Sequence, residues 1–261
     1  MTELSQHDPT GRFSGLADLY AKHRPGYPAA ALDFVVRRCG LGGTTVLADV
    51  GCGTGISARL FAARGVPVIG VEPNDEMRAQ AIQTPAPPGA PAPEYRPGRA
   101  EATGLPDGAA AAVLAAQAFH WFDAPAALRE FHRILRPGGW AVLLWNERDE
   151  DDPFTAAYGA VLRGAPEAAA VEGPRGRAGT ALLDSPLFQE AECVRFGNEQ
   201  GVDEEGLLGR AFSASYAPRE PAAAAAFAEE LRRVFARHRQ GGTVVLRYVT
   251  TVYLARRREG S

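Results

Sequence analysis

Seven residues constrain this chain most: Asp49-Val50-Gly51-Cys52-Gly53-Thr54-Gly55, an acid and then glycine at every second position. Before them runs Thr44 to Val50 (TTVLADV), apolar, rich in β-branched residues and bounded by Gly42-Gly43. After them Ile56 to Arg64 reads as a helix closed by Gly65. The expected order is a buried strand, a tight turn and a helix N-terminus. Glycine lets the backbone turn sharply and lets a ligand approach with no Cβ in the way. The helix start offers free N–H groups to a negative group, a phosphate or a carboxylate.

The pattern then alternates. Val66 to Val71 is a strand ending at Glu72, and Asn74 to Ile82 is a helix capped by Asn74. Thr84 to Pro93 is a proline-rich surface loop, followed by a short strand at Glu94 to Arg96 and another at Ala109 to Ala116. Ala126 to Leu135 is helical, Pro137-Gly138-Gly139 stops it, and Trp140 to Asn146 is the next strand. Strand and helix alternating at this spacing predict an α/β fold with a doubly wound, mostly parallel sheet. Phe13 to Lys22 and Ala29 to Cys39 are expected as N-terminal helices. Beyond Asn146, Phe154 to Leu162 looks helical and Gly164 to Thr180 looks mobile. Glu192 to Phe196 and Thr243 to Leu254 read as strands, and Pro221 to Arg239 as a packing helix. One domain over 1–261 is expected: lid helices at 1–40, a ligand-binding half at 41–147, a substrate-side half with an insertion at 148–240, and a last strand and tail at 241–261.

The spacing G-x-G-x-G differs from the G-x-G-x-x-G of dinucleotide sites. Glu72, at the end of the next strand, is placed to take both hydroxyls of a ribose. A nucleoside joined to an amino acid suits this pair of features better than a dinucleotide. A net charge of -3 gives no electrostatic footprint for nucleic acid. Three cysteines, Cys39, Cys52 and Cys193, lack metal-ligand spacing and fit a reducing cytoplasm. No stretch approaches the roughly 18 to 20 apolar residues of a membrane span. The expectation is a cytoplasmic chain with a small-molecule substrate, no metal, no nucleic-acid or membrane partner, and a monomeric or homodimeric state.

Six segments together carry a resemblance: YAKHRPGYP (Tyr20 to Pro28), DVGCGTG (Asp49 to Gly55), GVEPNDEM (Gly70 to Met77), RAEATGLPDG (Arg99 to Gly108), AQAFHWFD (Ala116 to Asp123) and ILRPGGWAVLLWN (Ile134 to Asn146). In this order they resemble the class I S-adenosylmethionine-dependent methyltransferases, in the subgroup similar to trans-aconitate methyltransferases. The resemblance implies a Rossmann-like, seven-stranded sheet with an antiparallel final strand, and S-adenosyl-L-methionine as cofactor. It also implies roles. Asp49, Gly51 and Gly53 would line the methionine part, with Gly55 supporting the turn. Glu72 would hold the ribose, with Asn74 and Met77 beside the adenosine. Ala100 and Glu101 would border the adenine, Gln117 would approach the methionine end, and Tyr20, Arg24 and Tyr27 would form a lid.

Methyl transfer is an in-line displacement, so alignment and exclusion of water are the main tasks. A base helps a hydroxyl, amine or carbon acid and is unnecessary for an ionised carboxylate. His120, past the end of the fourth strand, is the candidate base; the alternatives are that it shapes the pocket or only hydrogen-bonds the cofactor. Trp121 reads as pocket wall with Phe122, and Trp145 and Asn146 as strand-end residues facing an acceptor. By the same resemblance Arg210 and Tyr216, in GRAFSASY, would fall near the substrate, Arg210 to pair with an acidic acceptor; the plainer alternative for Arg210 is a surface arginine on a connecting helix. The expected function is methyl transfer to O, N or C of a small metabolite, a carboxylic acid or biosynthetic intermediate among them. The alternatives are a cofactor-binding protein of the same fold without transfer, and an NAD(P)-dependent enzyme.

Overall fold

The computed structural model describes residue 15 and residues 17–169 and 175–259. The strands are β1 (Leu47–Val50), β2 (Val68–Val71), β3 (Glu94–Arg96), β4 (Ala110–Ala116), β5 (Leu135–Arg148), β6 (Phe188–Val202) and β7 (Val244–Arg257). The helices are α1 (Ala17–His23), α2 (Ala29–Arg38), α3 (Ile56–Ala62), α4 (Asp75–Gln83), α5 (Ala124–Ile134), α6 (Pro153–Arg163), α7 (Arg175–Leu183), α8 (Glu204–Phe212) and α9 (Pro221–His238).

One seven-stranded sheet has the order β3-β2-β1-β4-β5-β7-β6. The first five strands pair in parallel, and β7 inserts antiparallel between β5 and β6. This is the expected Rossmann-like, doubly wound sheet with an antiparallel last strand. The order reverses between β1 and β4, which opens a crevice at their C-terminal ends. Side-chain alternation divides the core. Val142 and Leu144 pack with Leu32 and Val35 of α2 and Phe61 of α3. Leu143 and Trp145 face the other way, with Phe131 of α5 and Leu182 of α7. A further cluster joins α6, α8 and α9 to the N-terminal half of β7 through Tyr158, Leu207, Leu231 and Tyr248.

Three boundaries differ from the sequence reading. β5 begins at Leu135, because Pro137-Gly138-Gly139 continues as extended chain after the helix stops. β6 runs for 15 residues rather than the five from Glu192 to Phe196, with half-buried and exposed positions alternating along it. Its polar face and two glycines hide the apolar signal of an edge strand. Residues 175–180, the end of the stretch read as mobile, lie in the helix Arg175–Leu183. Residues 170–174 of that stretch, and the start of the helix expected from Phe13, lie outside the described residues. Among the described residues no helix is long and apolar enough to cross a membrane.

Candidate functional site

A cleft sits over the C-terminal ends of β1, β2 and β4. Its floor is the glycine turn. Gly51 has φ +69°, and a Cβ there would lie 2.8 Å from Ala118 Cβ and 2.9 Å from Phe122 Cζ. Only glycine suits both that dihedral and that approach. Gly55 (φ +76°) is the left-handed residue that launches α3.

Two buried acids stand at this floor. Glu72 is 8% exposed and lines the cleft. Its Oε2 accepts from the Gly53 amide at 2.9 Å and its Oε1 from the Asn74 amide at 2.9 Å. Burial raises its pKa, while those two amides and Arg78 oppose the shift. Each carboxylate oxygen keeps a second lone pair for a ligand hydroxyl. Asp49 lies one layer deeper and is not on the cleft wall. Its Oδ2 accepts from Ser57 Oγ at 2.6 Å, and Ser57 itself lines the cleft. Asp49 Oδ1 is buried with no hydrogen-bond partner among the described residues. Burial pushes the Asp49 carboxyl up to about 7, with the Ser57 bond opposing and the Glu72 charge adding to the rise.

This shift predicts a stability effect. An acid whose folded pKa exceeds its ordinary value of 3.8 stabilises the fold at low pH and loses that contribution as pH climbs toward 7. Asp49→Asn keeps an acceptor for Ser57 and removes the buried charge. The variant is expected to melt above the parent at pH 8 and close to it at pH 4, while binding a cationic ligand more weakly. Thermal melts at both pH values check this; an equal gap at both would rule out the buried-charge origin.

The remaining expected residues divide in two. Tyr20, Arg24 and Tyr27 roof the cleft, and Met77, Ala100, Glu101, Gln117 and Trp121 wall it. Gln117 has φ +58°, a conformation that costs a side-chain-bearing residue on the order of 1 kcal/mol and is retained here on the cleft wall. Arg210 also lines the cleft and is only 7% exposed.

The structure places the other expected residues off the cleft wall. His120 is buried and off the wall: it sits in the 3-10 turn Phe119–Trp121, with its ring centroid 4.8 Å from that of Trp121. Trp145 is in the core, edge-on to Tyr253, because its parity on β5 faces α5 and α7. Asn146 is not on the wall and bonds instead to the carbonyl of Gly26 at 3.0 Å. Tyr216 is buried, an electrostatic neighbour of Arg210, and not on the wall. Asn74 acts as the N-cap of α4, its Oδ1 accepting from Met77 N at 2.9 Å. Gly55 packs against the Tyr95 hydroxyl rather than the cleft. Sequence reasoning missed Ser57, Arg99 and Tyr158. Ser57 was findable from its place in the first turn of α3; Tyr158 had no local signal.

The residues fit S-adenosylmethionine. A glycine floor without Cβ atoms and the buried Glu72 carboxylate on the cleft wall suit a nucleoside joined to an amino acid.

Residues 48–143 match the family model described as a methyltransferase domain. An uncharacterized methyltransferase of Mycobacterium tuberculosis is 37% identical over 162 residues, covering 60% of this chain and 61% of the relative. The malonyl-[acyl-carrier protein] O-methyltransferase of Serratia marcescens is 34% identical over 143 residues, 52% of this chain and 54% of that one. The chain thus spans about three fifths or less of the length of these curated relatives. Among solved structures, a candidate type II methyltransferase from Anaeromyxobacter dehalogenans aligns with TM-score 0.62 and 25% identity, covering 90% of this chain and 97% of that one. Residues 48–143 thus resemble a methyltransferase domain, and the chain shares the Rossmann-like fold of the solved structure.

Proposed function

We propose that this chain transfers the methyl group of S-adenosylmethionine to a carboxylate oxygen of a small organic acid. The observation that carries the acceptor class is Arg210. Its guanidinium is buried on the cleft wall and stays charged at any ordinary pH. Its electrostatic neighbours are phenols, Tyr248, Tyr158 and Tyr216, and its Nε has no hydrogen-bond partner among the described residues. A buried cation without an anion is costly, and an anionic acceptor would supply the missing charge. The position of His120 supports the same reading. An ionised carboxylate needs no base, and the histidine expected to serve as one is not on the cleft wall.

When bound, the cofactor supplies a methyl carbon activated by a sulfonium. The chain's own work is then to bind and align. Glu72 holds the sugar hydroxyls, Asp49 balances positive charge from behind Ser57, and Gln117 and Trp121 wall the path to the acceptor. Arg210 fixes the acceptor acid. Tyr20 and Tyr27 exclude water from above, and Arg24 ties that roof to the Ser213 carbonyl at 3.0 Å.

Incubation with methyl-labelled cofactor and a panel of small mono-, di- and tricarboxylic acids tests the reading. The expected product is a base-labile methyl ester. Label appearing only in amines, phenols or carbon acids would remove the carboxylate assignment.

A further inference from the structure

The roof of the cleft continues from α1 through Arg24-Pro25-Gly26-Tyr27-Pro28 into α2. This linker has no regular secondary structure. Its two prolines lack N–H groups. Its carbonyls must nevertheless find donors, since an unpaired polar group away from water is costly. The donors are carboxamides on the sheet. Asn146 Nδ2 of β5 and Asn198 Nδ2 of β6 both donate to the Gly26 carbonyl, each at 3.0 Å. Gln200 Nε2 of β6 donates to the His23 carbonyl at 3.0 Å.

These amides are themselves held in register. Asn146 pairs across the sheet with Thr250, whose hydroxyl donates to Asn146 Oδ1. Asn198 Nδ2 donates to the same Oδ1 at 3.2 Å. With two donors on its oxygen, Asn146 has only one amide orientation available, the one that points Nδ2 at Gly26. The same residue touches the cleft wall from its other end, because its carbonyl accepts from Gln117 Nε2 at 3.3 Å. Gln200 accepts from Tyr248 OH at 3.4 Å, and Tyr248 is an electrostatic neighbour of Arg210.

We propose that Asn146, Asn198 and Gln200 are positioning residues: an amide clamp, built on the late strands, that seats the roof over the cofactor and couples it to the acceptor side. None of the three lines the cleft, so none acts by touching a ligand. The clamp explains why an edge strand with a half-polar face is kept to full length. Its polar positions 198 and 200 are the contacts to the roof. The geometry of the clamp stands on its own, and only its effect on ligand retention rests on the cofactor reading above.

The decisive variant is Asn198→Asp. It keeps the shape of the side chain but replaces the donor with an acceptor facing two oxygens, Gly26 O and Asn146 Oδ1. Asn198→Ala is its partner, removing the group altogether. Hydrogen–deuterium exchange on the ligand-free full chain reads the roof directly through the peptide spanning residues 17–27. Both variants are expected to exchange there on the order of tenfold faster, while β1 and β4 keep the parent's rates. S-adenosylhomocysteine should dissociate on the order of tenfold faster, with the melting temperature within a few degrees of the parent. Unchanged exchange in residues 17–27 in both variants overturns the clamp. Faster exchange with an unaltered dissociation rate overturns its role in ligand retention. If the parent chain binds no S-adenosylhomocysteine, the cofactor reading fails, and the exchange data still decide whether the clamp exists.

Discussion

Arg210→Met is expected to abolish most methyl transfer to the acid acceptor while leaving the protein folded and its cofactor affinity intact. Truncating one side of a buried charge pair costs about 2 to 5 kcal/mol, a loss of about 30-fold or more in kcat/KM. Methionine fills similar space without a charge, and replacing a buried ion by an apolar group is often neutral or stabilising. The melting temperature should therefore hold or rise. This opposite movement of activity and stability separates an anion anchor from a structural arginine. Arg210→Lys should recover little, because an ammonium lacks the planar fork that meets a carboxylate with two parallel bonds. Steady-state kinetics with the esterified acid check this, and an unchanged kcat/KM in the methionine variant would remove Arg210 from the acceptor site.

Glu72→Ala should act at the other end of the cleft, on the cofactor and not on the acceptor. The parent carboxylate is held by the amides of Gly53 and Asn74, so it is fixed in place before any ligand arrives. Losing charge-assisted bonds to the sugar costs about 1.5 to 3 kcal/mol, a fall in S-adenosylhomocysteine affinity of about 10- to 150-fold. Freeing the Gly53 amide also loosens the glycine turn, which adds to the loss in the same direction. Calorimetric titration measures it. Equal affinity in parent and variant would show that the sugar sits elsewhere.

The glycine-turn side of the cleft was legible because its geometry is local. The turn at Gly51 to Gly55 requires positive φ and the absence of Cβ atoms, and both demands are written in consecutive residues. Glu72 follows at a strand end for the same reason: short parallel strands bring their last residues to one crevice. The acceptor half was less legible, because its geometry is set by parity and by distant pairing. His120 and Trp121 are adjacent, yet a single 3-10 turn buries one and exposes the other to the cleft. Trp145 and Asn146 are likewise adjacent, and alternation on β5 sends the first into the core and the second toward Gly26. Tyr158 and Tyr248 lie 90 residues apart and meet around Arg210 only through the packing of α6 and α8 on β7. The long β6 was hidden because the side chains that face the roof linker are amides rather than aliphatics.

Every step rests on the cleft accepting an adenosyl amino acid. Titration of the unmodified full chain with S-adenosylhomocysteine at pH 8 tests that most directly. Saturable binding of one molecule per chain is predicted, with no heat from NADH under the same conditions. A flat titration with S-adenosylhomocysteine, or saturable binding of NADH in its place, would contradict the account.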